Sequence, residues 1–253
     1  MNRILPQFEI AEDFKVTAAT SRDARFQNQV LASFPSKTVD RLRPCLVPVK
    51  LGVGQILYER GEQPEFIYFP EEAIVSLLCM TGNGGSSAIA VCGRDSVVGI
   101  TPFLGISTVS HQALVQIAGG ALRIRSQLLQ AEFVHDQLVQ RTLLRYIQDL
   151  LRQVSQTVVC NRLHPVEKRL CRWLLLSHDR TQSDCLIMTQ EFLAHLLGSR
   201  RESVAVAAAR LQIGGLIHYV RGKIQILNRP GLELSACECY QSCRQETLLP
   251  IPH

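Results

Sequence analysis

Between Thr189 and Lys223 the sequence sets out side chains suited to reading a polyanionic duplex. Arg200, Arg201, Glu202 and Ser203 run consecutively, and Val206 and Arg210 follow at helical spacing. An arginine guanidinium can bond bidentately to guanine O6 and N7, and a glutamate can accept from cytosine N4. The hydroxyls of Thr189, Ser199 and Ser203 are of the kind that bond to phosphate oxygens and so orient a protein without specifying sequence. Arg221 and Lys223 add two cations around Gly222. A second group is chemically distinct: Cys237, Cys239 and Cys243 place three thiols in seven residues, enough to begin a soft-metal site or a redox pair. No fourth ligand is evident beside them, and a segment that follows the last patterned element is expected to be held loosely. No resident metal or other cofactor is therefore expected.

The first group needs two short helices and a hairpin to position it. Thr189 is a good N-cap, with Glu191 in the positive first turn and Phe192, Leu193, Leu196 and Leu197 as a buried stripe. Gly198 permits a tight turn, and Ser199 to Glu202 has capping-box spacing, which starts a second helix at Arg200. On that helix Val204, Ala207, Ala208 and Leu211 share one face, leaving the charged residues on the other. GLIHYV and KIQIL then alternate around Arg221-Gly222, as a β-hairpin does. Together these predict a winged helix-turn-helix, which places the start of its second helix in the major groove and its wing on the backbone. The charge distribution agrees: residues 160–235 hold 11 Lys/Arg against 6 Asp/Glu, which equals the whole chain's net charge of +5.

Upstream, residues 127–159 contain no Gly or Pro, and Leu143, Ile147, Leu150, Val154 and Val158 recur every three or four positions. That is one amphipathic helix of about 45 Å at 1.5 Å per residue, long enough to contact its own domain and a partner's helix. Pro165 opens the next helix. Before the long helix, eleven of the sixteen glycines lie between Gly52 and Gly120 and punctuate short apolar runs. These runs (55–58, 66–69, 73–79, 87–91, 96–100, 112–117 and 121–124) predict an antiparallel sandwich or barrel, with TGNGGSS as a hairpin loop. Residues 26–47 suit short helices broken at Pro35 and Pro44. The expected organisation is an arm over 1–25, a β-domain over 26–126, a dimerisation helix over 127–160, a winged helix-turn-helix over 161–235 and a cysteine-containing tail over 236–253.

GSRRESV, together with this order of elements, resembles the catabolite activator/FNR-type (Crp/Fnr) family of bacterial transcription regulators. The likeness covers about residues 30–235, and GSRRESV is close to the family's Gly-x-Ser-Arg-Glu-Thr-Val pattern, with Arg200 in place of its Ser and Ser203 in place of its Thr. It implies an α+β fold: an N-terminal antiparallel β-roll of the cyclic-nucleotide-binding type, a long dimerisation helix and a C-terminal winged helix-turn-helix. It further implies a homodimer on a palindromic DNA operator, with RNA polymerase as a candidate partner. Arg201 and Glu202 match the family's base-reading pair. Val206 stands where many members carry a second arginine, so a different half-site is expected.

The effector half departs from the family's cyclic-nucleotide pattern of Gly-Glu followed by Arg-Ser or Arg-Thr. Gly99 is followed by Ile100, and His111-Gln112 occupies the place of the arginine. A buried phosphate without its arginine is an uncompensated charge, so cyclic AMP is not the expected effector. The N-terminal cysteine cluster of iron–sulfur members is missing, since the first cysteine is Cys45; Cys79 and His111 offer no more than isolated candidates for haem. The alternative function is a small-ligand or redox/metal-responsive module whose C-terminal domain serves protein contacts; salt-sensitive DNA binding separates the two. Without a placeable Ser/His/Asp set, P-loop or HExxH motif, no enzyme is expected. No run approaches the ~20 apolar residues of a membrane span and the acidic N-terminus is unlike a secretory signal, so the expected compartment is the cytoplasm.

Overall fold

The computed structural model describes residues 26–82, 84–181 and 183–244. The arm expected over 1–25 and the end of the tail lie outside the described residues. Two short helices come first, α1 (Gln29–Ala32) and α2 (Ser36–Leu42), separated at Pro35 as expected. Asn28 caps α1 by accepting from the Leu31 amide, and its own Nδ2 donates to the carbonyls of Pro70 and Ser96.

Seven strands then build two facing sheets: β1 (Val47–Leu51), β2 (Ile56–Tyr58), β3 (Phe66–Pro70), β4 (Ile74–Met80), β5 (Ser86–Cys92), β6 (Gln112–Ile117) and β7 (Gly119–Arg125). One sheet has the order β1-β7-β3 and the other β2-β6-β4-β5, and every pairing is antiparallel. The hairpin expected around TGNGGSS does form, with Met80 pairing with Ser86. Two expectations change. Strand β1 was not anticipated; Pro48 is tolerated because β1 lies at a sheet edge, where a missing N–H leaves no ladder bond unmade. Residues 96–100 do not form a strand. They make a single bridge, Val98 to Tyr68, after which Gly99 turns with φ +96° into a 3₁₀ turn over Thr101–Leu104.

The single helix expected over 127–160 is two: α3 (Ser126–His135) and α4 (Gln137–Leu163). Asp136 divides them because its carboxylate caps α4, accepting from the amides of Leu138 and Val139, while its other oxygen accepts from Thr38 Oγ1 at 2.5 Å. Next come α5 (Val166–His178), β8 (Cys185–Ile187), α6 (Gln190–Leu197), α7 (Arg201–Ile213), β9 (Ile217–Val220), β10 (Lys223–Ile226), α8 (Arg229–Ser235) and α9 (Cys239–Arg244). The last three strands form a sheet of order β8-β10-β9.

One core joins the halves. Ile74, Leu78, Val91 and Leu114 of the β-roll pack with Leu170, Trp173, Leu174 and Leu197 of the helical part. Polar bonds reinforce the contact: Arg180 pairs with Asp95 at 2.8 Å, both largely buried, and Gln116 Nε2 donates to Ser177 Oγ. Among the described residues no helix is long and apolar enough to cross a membrane.

Candidate nucleic-acid interface

The helix-turn-helix follows its local signals except at the start of its second helix. Thr189 Oγ1 accepts from the Phe192 amide at the start of α6, and Leu193, Leu196 and Leu197 are buried. Gly198 ends α6 in the left-handed region, φ +55°, which suits a residue without a Cβ. The capping box does not form. Ser199 Oγ donates back to the Leu197 carbonyl, and α7 begins at Arg201 with Arg200 as an N-cap that makes no side-chain bond. The first amides of α7 therefore lack the usual side-chain acceptor, which suits them to a phosphate oxygen.

Val204, Ala207, Ala208 and Leu211 bury the inner face of α7, as expected. Arg200, Arg201, Glu202, Ser203, Val206 and Arg210 are all exposed. Arg210 is distinct from the others: about two and a half turns along, it pairs with Glu167 of α5 at 3.3 Å. Strands β9 and β10 meet at Arg221-Gly222, with φ +48° and +78°, the left-handed pair that a two-residue hairpin turn needs. Arg221 and Lys223 are exposed at this tip, and the Gly222 carbonyl accepts from the Met188 amide. Tyr219 Oη donates to the Met188 carbonyl at 2.9 Å, tying the hairpin to the strand that precedes α6. Burial pushes the Tyr219 phenol up to about 12, and the nearby Arg201 charge opposes that rise. The Tyr219 amide also donates to Gln212 Oε1, so α7 and the β9–β10 hairpin lie beside each other.

The residues expected to dimerise divide by helix face. Leu143 and Ile147 are 0% and 8% exposed inside the protomer's own core, and Leu150 and Val154 are half-buried against it. Of the five, only Val158 stands out, 63% exposed. Leu144 and Leu151 share its face, 47% and 56% exposed. The periodicity identified the amphipathic helix, but its strongest stripe belongs to the monomer.

At the degenerate effector positions the side chains have partners within the β-roll. His111 Nε2 is 3.1 Å from Tyr58 Oη, and Gln112 Nε2 donates to Glu59 Oε2 at 2.7 Å. Burial lowers the His111 pKa, favouring the neutral ring. Gly99 and Ile100 lie beneath β3, where a Cβ on Gly99 would sit 3.0 Å from the Phe66 carbonyl oxygen. A small cavity lies elsewhere, between β5, α4, α5 and α6, with Gln153, Asn161, Arg169, Arg172 and Trp173 in its wall. No periodicity in the sequence marks it, since its wall comes from four separate elements.

The described part of the cysteine tail, residues 236–244, is not loose. Cys237, Cys239, Tyr240 and Cys243 are buried; Tyr240 Oη bonds Asp179, and Arg152 donates to the Ser242 carbonyl. The triplet divides, however. Cys243 Sγ accepts from Arg172, whereas Cys237 and Cys239 turn toward Cys160 and His164. Hydrogen bonding from Cys160 lowers the Cys237 pKa and raises that of Cys160.

Residues 168–234 match the family of Crp-like helix-turn-helix domains. Among solved structures the chain is similar to FixK2 from Bradyrhizobium japonicum, at 17% identity and a TM-score of 0.66, covering 76% of this chain and 98% of that one. It is also similar to a putative transcriptional regulator of the Crp/Fnr family from Eubacterium rectale, at 14% identity and a TM-score of 0.63, covering 82% and 97%. A Crp-family transcriptional regulator from Thermus thermophilus aligns at 20% identity with a TM-score of 0.61, covering 74% and 96%. No curated protein matches the sequence. The chain carries a Crp-like helix-turn-helix domain on the Crp/Fnr fold.

Proposed function

We propose that this chain, a DNA-binding transcription regulator by its Crp-like domain and Crp/Fnr-type fold, works in the cytoplasm as a homodimer on a palindromic operator. The observation that carries the reading is the exposed row Arg200, Arg201, Glu202, Ser203 and Val206 beside a wing tipped by Arg221 and Lys223. Arg201 and Glu202 read base edges; Arg200, Ser203, Arg221 and Lys223 contact phosphates, and Thr189 and Ser199 chiefly shape the turn. Val206 presents an apolar contact, for which a thymine methyl is the natural partner. Arg210, tethered to Glu167, reaches backbone rather than base.

Dimerisation uses Leu144, Leu151 and Val158, which recur every seven residues along the outer face of α4, with Gln148 and Ser155 between them. Such a seam aligns two recognition helices about one DNA turn apart, which is why the operator is palindromic. RNA polymerase is the partner through which a bound dimer would act. The chain's own activity is binding, not catalysis, and cyclic AMP is not the effector, because His111 and Gln112 offer no fixed cation to a cyclic phosphate.

Genome-wide recovery of bound DNA tests the reading. The expected result is a recurrent inverted repeat whose affinity falls steeply with salt. Recovery of no shared motif, or binding indifferent to salt, would overturn it.

A further inference from the structure

The end of α4 and the turn between α8 and α9 bring four soft-metal ligands to one point. Cys160 and His164 are one helical turn apart and leave α4 on the same side. Cys237 and Cys239 approach from the far end of the chain. The ligand atoms of all four lie within 4.8 Å of one another. Cys160 Sγ is 3.5 Å from Cys237 Sγ, and Cys239 Sγ is 3.5 Å from His164 Nδ1. A tetrahedron with Zn–S of about 2.3 Å and Zn–N of about 2.0–2.1 Å has edges of about 3.5–3.8 Å. The cluster thus has the dimensions of a mononuclear site; an iron–sulfur cluster would hold its ligands across several metal atoms.

The surroundings fit as well. Glu238 Oε1 is 3.2 Å from His164 Nε2, which orients the ring and leaves Nδ1 to ligate. Three thiolates and one imidazole around a divalent ion carry a net charge of −1, and the buried Arg172 acts electrostatically on Cys160. Its Nε lacks a hydrogen-bond partner.

We propose that Cys160, His164, Cys237 and Cys239 bind one zinc ion in a closed structural site. Binding displaces the thiol protons to solvent and joins the C-terminal segment to the helix end immediately before Pro165. That junction sets the position of α5 and, through it, of α6 and α7. Resting on the DNA-binding reading above, the ion therefore stabilises the arrangement of the recognition helices.

Full-length protein, purified metal-free under reducing conditions, is titrated with cobalt(II) and then zinc(II). The expected result is one equivalent of cobalt per protomer, with the intense visible bands of tetrahedral thiolate coordination, displaced by one equivalent of zinc. Cys237→Ser and His164→Ala should each weaken cobalt binding at least tenfold, while Cys243→Ser leaves it unchanged; circular dichroism checks that each variant is folded. Should a variant fail to fold, wild-type stoichiometry and spectrum still decide. No tetrahedral spectrum, equal loss in Cys243→Ser, or iron with inorganic sulfide in protein prepared without oxygen would overturn the site. Affinity for duplex DNA is measured in parallel with zinc and with chelator. A tenfold or greater loss on chelation is expected, and metal bound without any change in affinity would overturn the coupling alone. Absence of DNA binding in every state would instead remove the regulator reading and leave the metal result standing.

Discussion

At the scale of single residues, the proposed interface would separate base-reading from phosphate-holding groups by position. Arg201 lies in the first turn of α7 with its side chain exposed. Arg201→Ala is expected to lose about 1–3 kcal/mol, roughly 5- to 150-fold in operator affinity, and to relax preference at one base position. Competition between operator variants measures this; an equal loss on random duplex would reassign Arg201 to the backbone. The wing behaves differently. Lys223→Ala should weaken all sequences alike and lower the salt slope by about one, as a lost phosphate contact does. Arg221→Asn should act in the same way without harming the turn, since asparagine tolerates the left-handed conformation that Arg221 adopts. An unchanged salt slope in both variants would place the wing off the DNA.

At the scale of elements, α4 carries two apolar faces, one buried within the protomer and one exposed. Leu143 is fully buried within the protomer, so Leu143→Ala should cost about 2–5 kcal/mol of folding stability by opening a cavity. Leu151 is exposed, and Leu151→Glu should leave thermal stability of the monomer nearly unchanged while shifting sedimentation from dimer to monomer. Two like charges facing across a symmetric seam repel. A dimer that persists in Leu151→Glu would move the interface away from this face. The break between α3 and α4 belongs to this scale too. Asp136 is a good capping residue in an otherwise uninterrupted helical pattern, and its bond to Thr38 makes the cap the better use of that side chain.

At the scale of the molecule, the helix-turn-helix is seated on the β-roll. Ser86 Oγ lies 3.1 Å from His195 Nδ1, and Asn161 donates to Ser87 Oγ. A Cβ on Gly198 would come within 2.9 Å of the Ser87 Cβ, in a conformation that already disfavours side chains. Gly198→Ala should therefore loosen the docking of α6 against β5 and lower the melting temperature. Ser87→Gly removes the Asn161 bond on its own, so measured against that single variant the addition of Gly198→Ala should cost only the left-handed penalty, about 1–2 kcal/mol. A Gly198→Ala cost as large in the Ser87→Gly background as in the wild type would show that the contact with Ser87 carries no cost. Because Gly198 also sets the angle between α6 and α7, the same substitution links the β-roll surface to the orientation of the recognition helix.

The sequence by itself determined the winged helix-turn-helix, because each of its parts depends on near neighbours. Thr189 caps an amide three residues on, Gly198 supplies a turn, and Arg221-Gly222 closes a hairpin whose strands are adjacent in the chain. The antiparallel β-roll was legible for a related reason, in that glycines mark its turns and apolar runs its strands. Only the tertiary structure decided which face of α4 is internal, because Leu143 and Leu144 are equally apolar and differ solely in what packs against them. The same holds for the effector positions, where Tyr58 and Glu59 reach His111 and Gln112 from 53 residues away. It holds most of all for the thiols. Cys237 and Cys239 were visible as a pair, but Cys160 lies 77 residues from its neighbour Cys237, and packing alone brought α9 to the end of α4.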